Sequence, residues 1–169
     1  MEFRNNTNPY QQLPLPKNWW RKPLYIIAFG FGSVAAPFAP GTFGTLATIP
    51  LLLIANYFFS ANGFLIFTIV FSLFAIWITN KISREINIHD HPGMCIDEFV
   101  GFFFTMLYLP TTLFNIVVGF ALFRFFDIVK PWPIRYLDKN IHGGVGMILD
   151  DIVAGLFSCA ILHLINYYF

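Results

Sequence analysis

An all-α fold is predicted: a polytopic membrane helical bundle of about five membrane helices, preceded by a re-entrant or interfacial N-terminal helix. Three observations predict it. Of 169 residues, 57% are hydrophobic and 11% charged, whereas a soluble domain usually carries about 25% charged residues. The apolar residues fall in continuous runs without strand-like alternation, and in lipid only helices or closed barrels satisfy their backbone. Lys and Arg occur only at 4, 17, 21, 22, 81, 84, 124, 130, 135 and 139, a distribution that assigns alternate loops to the cytoplasmic side.

Residues 1–22 are polar, contain Pro9, Pro14 and Pro16, and lack the apolar core of a signal peptide. They read as a cytoplasmic tail, and 23–169 as a single membrane-embedded domain. Segment 24–34 reaches only about 16 Å as a helix, against a hydrocarbon core of about 30 Å. The break at Pro37-Phe38-Ala39-Pro40-Gly41 follows at once. This segment is expected to enter the membrane surface without crossing, leaving Lys22 and Thr42 on one side. Segments 45–59 and 63–79 form an outward and returning pair around Asn62-Gly63. Segments 95–109 and 113–126 form a second pair around Pro110, and 147–169 runs outward last.

A net charge of +1 carries no polyanion-binding signal, so no nucleic-acid partner is expected. Cys95 and Cys159 fit no zinc, redox or disulfide spacing. Neither has an Arg six residues downstream, which excludes a cysteine-phosphatase loop.

The acids carry the functional signal. Asp97 and Glu98 open one apolar segment, Asp127 closes another, and Asp150 and Asp151 open the last. Ionisable groups at a membrane edge are costly and usually functional. The topology drawn from the cations alone puts all five on the cytoplasmic face, where carboxylates can gather a hard cation such as Mg²⁺. Acids in a first helical turn are also favoured by the macrodipole, which is the ordinary reading of Asp97-Glu98. For Asp127, at a helix C-terminus, the dipole argument reverses, and a metal ion or Arg124 and Lys130 must offset it. Asp127 and Lys130 are three apart, on one face if the helix continues that far.

Ala39-Pro40-Gly41-Thr42-Phe43-Gly44-Thr45 offers N–H groups and hydroxyls at a helix start, a plausible anion cradle. It lacks the Lys and spacing of a P-loop, and Gly/Thr turns also simply cap helices. Gly101, one turn beyond Asp97-Glu98, permits close packing of a neighbouring helix, and Gly155 lies one turn beyond Asp150-Asp151. His89-Asp90-His91 reads as solvated loop, His163 as packing, and His142 is left undecided.

Together these blocks resemble the bacterial phosphatidylglycerophosphatase A family. The matching stretches are Ala39-Pro40-Gly41-Thr42-Phe43-Gly44-Thr45-Leu46, Asp97-Glu98-Phe99-Val100-Gly101, Phe123 through Pro133, and Gly143-Gly144 through Asp150-Asp151-Ile152-Val153-Ala154-Gly155. They cover roughly positions 30–155. The resemblance implies a Mg²⁺-dependent phosphatase of the bacterial inner membrane with its active site on the cytoplasmic face. Its membrane phospholipid substrate would be phosphatidylglycerophosphate, and its products phosphatidylglycerol and phosphate. It assigns metal binding to Asp97, Glu98, Asp127, Asp150 and Asp151. Catalysis falls to Asp127, Asp97, Glu98 and Lys130. Phosphate binding falls to Gly41, Thr42, Gly44, Thr45, Lys130 and Arg124. A haloacid-dehalogenase-type nucleophile has a second Asp two residues on, where this chain has Val129, which favours direct attack by water.

Two rivals belong to other classes. A CDP-alcohol-type head-group transferase also uses intramembrane acids, but its Asp-Gly-x-x-Ala-Arg signature is missing. A cation carrier wants acids near the midplane and often internal repeats; here the acids gather at one face and no repeat is visible. The Ser-Gly-His block of lipid phosphatases with a His nucleophile is missing too.

Overall fold

The structure, a computed structural model, describes residues 18–35, 39–88, 91 and 93–168. Most of the polar tail, and His89 and Asp90, lie outside the described residues. Seven α-helices follow one another: α1 (Pro23–Ala28), α2 (Pro40–Phe58), α3 (Ala61–Ile86), α4 (Ile96–Thr105), α5 (Leu113–Val129), α6 (Ile134–Asn140) and α7 (Gly143–Tyr168). Short 3₁₀ turns cover Trp19–Arg21 and Gly30–Ala35, and no strand occurs among the described residues.

Among the described residues three helices are long and apolar enough to cross a membrane: α2, α3 and α7. Their outer faces expose large apolar side chains such as Leu53, Tyr57, Ile66, Leu73 and Leu164. The expectation of about five spans is met only in this coarser form. Segment 95–109 forms a helix of only 10 residues, α4, about 15 Å long. It is buried along nearly its whole length, and Met106, Leu107 and Leu109 beyond it are buried too. Its apolarity serves protein neighbours instead of lipid. The 17 residues of α5 lie at the short end of what a span needs.

α4 is the axis of the bundle and packs chiefly on α7, then on α2 and α3. One core cluster gathers Phe64, Phe102, Phe103, Phe123 and Leu162 around it. A second joins Tyr25, Phe29, Ile78, Ile96 and Ile148. A Cβ on Gly101 would strike the Phe123 ring and stand 2.9 Å from the Asp151 carbonyl oxygen, and one on Gly155 would strike the Gly101 carbonyl. These two glycines let α4 and α7 approach backbone to backbone, which brings both acidic pairs to one level.

The N-terminal segment doubles back. Tyr25 donates to Glu85 Oε2 at 2.8 Å, and Lys22 reaches the same carboxylate at 3.9 Å, fixing the start of α1 to the end of α3. The Cys95 N–H donates to Ala28 O at 2.9 Å, while Cys95 Sγ donates to Pro40 O at 3.7 Å. Residues 28 and 40 therefore meet the same residue, and α1, six residues long, is too short to cross.

Candidate active site

Asp97 and Glu98 stand in the first turn of α4. Asp97 Oδ1 accepts from the Glu98 N–H at 3.1 Å. Glu98 turns toward α2 and α5, where its Oε1 lies 3.7 Å from Arg124 Nη1. Asp151 comes in from α7, so that one carboxylate oxygen each of Asp97, Glu98 and Asp151 lies within 4.8 Å of the others. A cavity of about 210 Å³ is lined by all five sequence-predicted acids, Asp97, Glu98, Asp127, Asp150 and Asp151, with Lys130 beside them.

Two cations hold the rim. Arg124 Nη1 lies 2.7 Å from Asp127 Oδ2, one turn along α5. Lys130 Nζ donates at 2.6 Å to both Asp150 Oδ2 and Asp138 Oδ1. Burial works against the Lys130 ammonium, but these two carboxylates more than offset it and raise its pKa above the ordinary lysine value. The ammonium therefore stays charged throughout the neutral range.

The face that Asp127 and Lys130 would share on a continuing helix is not formed. Helix α5 ends at Val129, and Lys130 adopts a left-handed conformation, φ 46°, which turns its side chain toward α6 and α7. The residue before a proline is disfavoured in the α region, and Pro131 follows. Asp127 pairs with Arg124 instead. Asp150 and Asp151 also stand about two turns inside α7, which begins at Gly143, so the macrodipole does not explain them. Gly143-Gly144 continues into helix because Asn80 of α3 accepts the Gly144 N–H at 2.9 Å.

The candidate phosphate turn is itself helical, since α2 starts at Pro40. Gly41 abuts the site: a Cβ there would strike Glu98 Oε1 and come within 3.0 Å of the Arg124 guanidinium. Gly44 faces Cys95, 2.7 Å from a Cβ placed on it. Thr45 is buried and donates to Gly41 O at 2.9 Å. Gly44 and Thr45 thus pack α2 against α4, and none of Gly41, Thr42, Gly44 and Thr45 lines the acidic cavity.

One cavity residue escaped sequence reasoning, and another is left undecided by it. Asp138 shares Lys130 with Asp150, and His142 lines the same cavity. An acid eight residues beyond Lys130 in a polar stretch carries no local signal. His91, expected in solvent, is buried against Phe29 and accepts from the Gly93 N–H at 3.1 Å. His163, read as packing, is exposed and approaches Leu107 O at 3.0 Å. Cys95 and Cys159 are both buried.

The acids fit a divalent cation. Glu98 Oε2 and Asp150 Oδ1 are buried without a hydrogen-bond partner, and an unpaired buried carboxylate oxygen costs several kcal/mol, on the order of 1–3 or more. Clustered carboxylates that keep unpartnered oxygens form the oxygen-rich donor set that hard cations take.

A helical membrane frame that sinks five acids and Lys130 into one polar cavity, with Arg124 paired to Asp127 beside it, defines a membrane-embedded enzyme site. Residues 26–166 match the sequence family described as Phosphatidylglycerophosphatase A. The chain is 37% identical over 150 residues to phosphatidylglycerophosphatase A of Escherichia coli, covering 86% of this chain and 85% of that one. It is 38% identical over 156 residues to the Haemophilus influenzae protein of the same name, covering 92% and 96%. It is also 38% identical over 141 residues to a Bacteroides thetaiotaomicron protein provisionally named as a phosphatidylinositol-3-phosphatase, covering 79% and 87%. No solved structure matches. The chain belongs to the phosphatidylglycerophosphatase A family.

Proposed function

We propose that this protein hydrolyses phosphatidylglycerophosphate to phosphatidylglycerol and phosphate, with Mg²⁺, at the cytoplasmic face of the bacterial inner membrane. The observation that carries this reading is the cavity in which five carboxylates and Lys130 face one another. The relatives' names supply the substrate.

Asp97, Glu98 and Asp151 would hold the ion, with Asp127 and Asp150 completing the oxygen set at the rim. A bound Mg²⁺ would neutralise phosphate charge and help activate a water. The chain's own groups do the rest. Lys130, held by Asp138 and Asp150, supplies a fixed positive charge to the phosphate oxygens. Arg124 orients Asp127 and Glu98 and presents its remaining donors toward the Gly41 end of α2. Water adds its oxygen to phosphorus, its proton passes to Asp127, and the ester P–O bond breaks. The glycerol oxygen leaves and takes up a proton from solvent. Val129 at the second-Asp position favours this direct route over a phospho-enzyme.

Phosphate release from phosphatidylglycerophosphate by purified protein tests the reading. Excess chelator is expected to stop it and added Mg²⁺ to restore it. Full turnover in chelator would refute the metal role, and no release with Mg²⁺ present would refute the substrate.

The orientation is tested separately. Lys22 and Thr42 are expected on the cytoplasmic side, because the chain between residues 28 and 40 returns to Cys95. Single cysteines at 22 and 42, in a background lacking Cys95 and Cys159, should both resist a membrane-impermeant thiol reagent in intact cells and react in inverted vesicles. Labelling of position 42 from outside would show that the segment spans.

A further inference from the structure

A second cavity, about 520 Å³, adjoins the acidic one. Lys130 is the wall they share. Its other lining includes Trp132, Arg135, Tyr136 and Lys139, and no carboxylate. The two cavities have opposite chemistry: one is crowded with acids, the other is cationic and aromatic.

Arg135 and Lys139 are four apart on α6, and like charges at that spacing destabilise a helix. Neither pairs with a carboxylate among the described residues. The repulsion is relieved if an anion sits between them. Trp132 is 83% exposed and Tyr136 59%; aromatic rings of this kind settle at the membrane–water interface. That is the level of lipid headgroup phosphates, which attract Lys and Arg.

We propose that this cavity binds the phosphodiester of the lipid substrate, with Arg135 and Lys139 as its cationic contacts. The proposal rests on the reaction assigned above. Phosphatidylglycerophosphate carries two phosphates joined through glycerol: a terminal monoester, which is cleaved, and a diester, which is kept. The acidic cavity takes the first through its cation and Lys130. The cationic cavity takes the second, and Lys130 stands between them. Recognition of the retained diester would set this substrate apart from a lipid bearing a monoester alone.

The test uses the full chain in neutral detergent micelles, with phosphatidylglycerophosphate as substrate and two soluble inhibitors. Glycerophosphoglycerol, the deacylated diester, probes the second cavity, and inorganic phosphate probes the first. In the double variant Arg135→Gln/Lys139→Gln, the inhibition constant of the diester is expected to rise about tenfold, as loss of charge-assisted contacts implies. The constant for inorganic phosphate is expected to move by less than about twofold, and KM is expected to rise more than kcat falls. Equal shifts for both inhibitors would reduce the effect to general electrostatic attraction and overturn the proposal, as would no shift for the diester. Non-competitive inhibition or activation by the diester would assign the cavity to a neighbouring anionic lipid and also overturn it. A wild-type chain that releases no phosphate from this substrate overturns the reaction itself and this proposal with it.

Discussion

Asp151→Asn is expected to lower phosphate release at saturating Mg²⁺ by about a hundredfold or more, the scale of losing one preorganised charge at a reacting centre. The stability of the variant is expected to move the other way. Three carboxylates with oxygens within 4.8 Å of one another repel strongly where water is scarce. Replacing one by a neutral amide of nearly the same shape relieves that repulsion. In chelator the variant should melt at or above the wild-type temperature. Added Mg²⁺ should raise the wild-type midpoint, since a ligand that binds only the folded state stabilises it, and should raise the variant's less. Undiminished turnover, or equal Mg²⁺ shifts in both proteins, would remove Asp151 from the cation site.

Lys130→Met is expected to cost both activity and stability. Lys130 bonds Asp150 at 2.6 Å, and the Asp150 side chain is 6% exposed. Removing one member of such a pair leaves a buried charge uncompensated, at about 3–5 kcal/mol. Turnover should fall about a hundredfold or more with loss of the cation at the phosphate. Adding Asp150→Asn to this variant should recover much of the stability, because the orphaned charge is gone, while turnover stays low. Recovery of both together would make Lys130 structural only.

The acids were legible because charge in an apolar chain is expensive wherever it sits, so Asp97, Glu98, Asp127, Asp150 and Asp151 declared themselves without a fold. Gly101 was legible as a site of close helix packing, and the structure supplies its partner, Gly155, in the α4–α7 approach. The short, buried α4 was not legible. Lipid and protein interior ask for the same apolar side chains, so segment 95–109 read as a span. The shared face of Asp127 and Lys130 depended on a helix running past Val129, and Lys130 turns left-handed there, just before Pro131. Asp138 was invisible because it reaches the cavity and Lys130 through space, with no local pattern to mark it. The hydroxyl of Thr45 was available on paper, but an intrahelical bond to Gly41 claims it.

The burial of α4 has a mechanical consequence. Bilayers of different thickness act on a membrane protein through the helices that lipid touches, by tilting or compressing them. Here those are chiefly α2, α3 and α7, whereas Asp97 and Glu98 ride on a helix sheathed by its neighbours. Tilt of the outer helices reaches these two acids only through side-chain packing, except along the Gly101–Gly155 contact, where backbone meets backbone and Asp151 sits one turn away. That single contact is where lipid composition gains mechanical leverage over the spacing of the carboxylates.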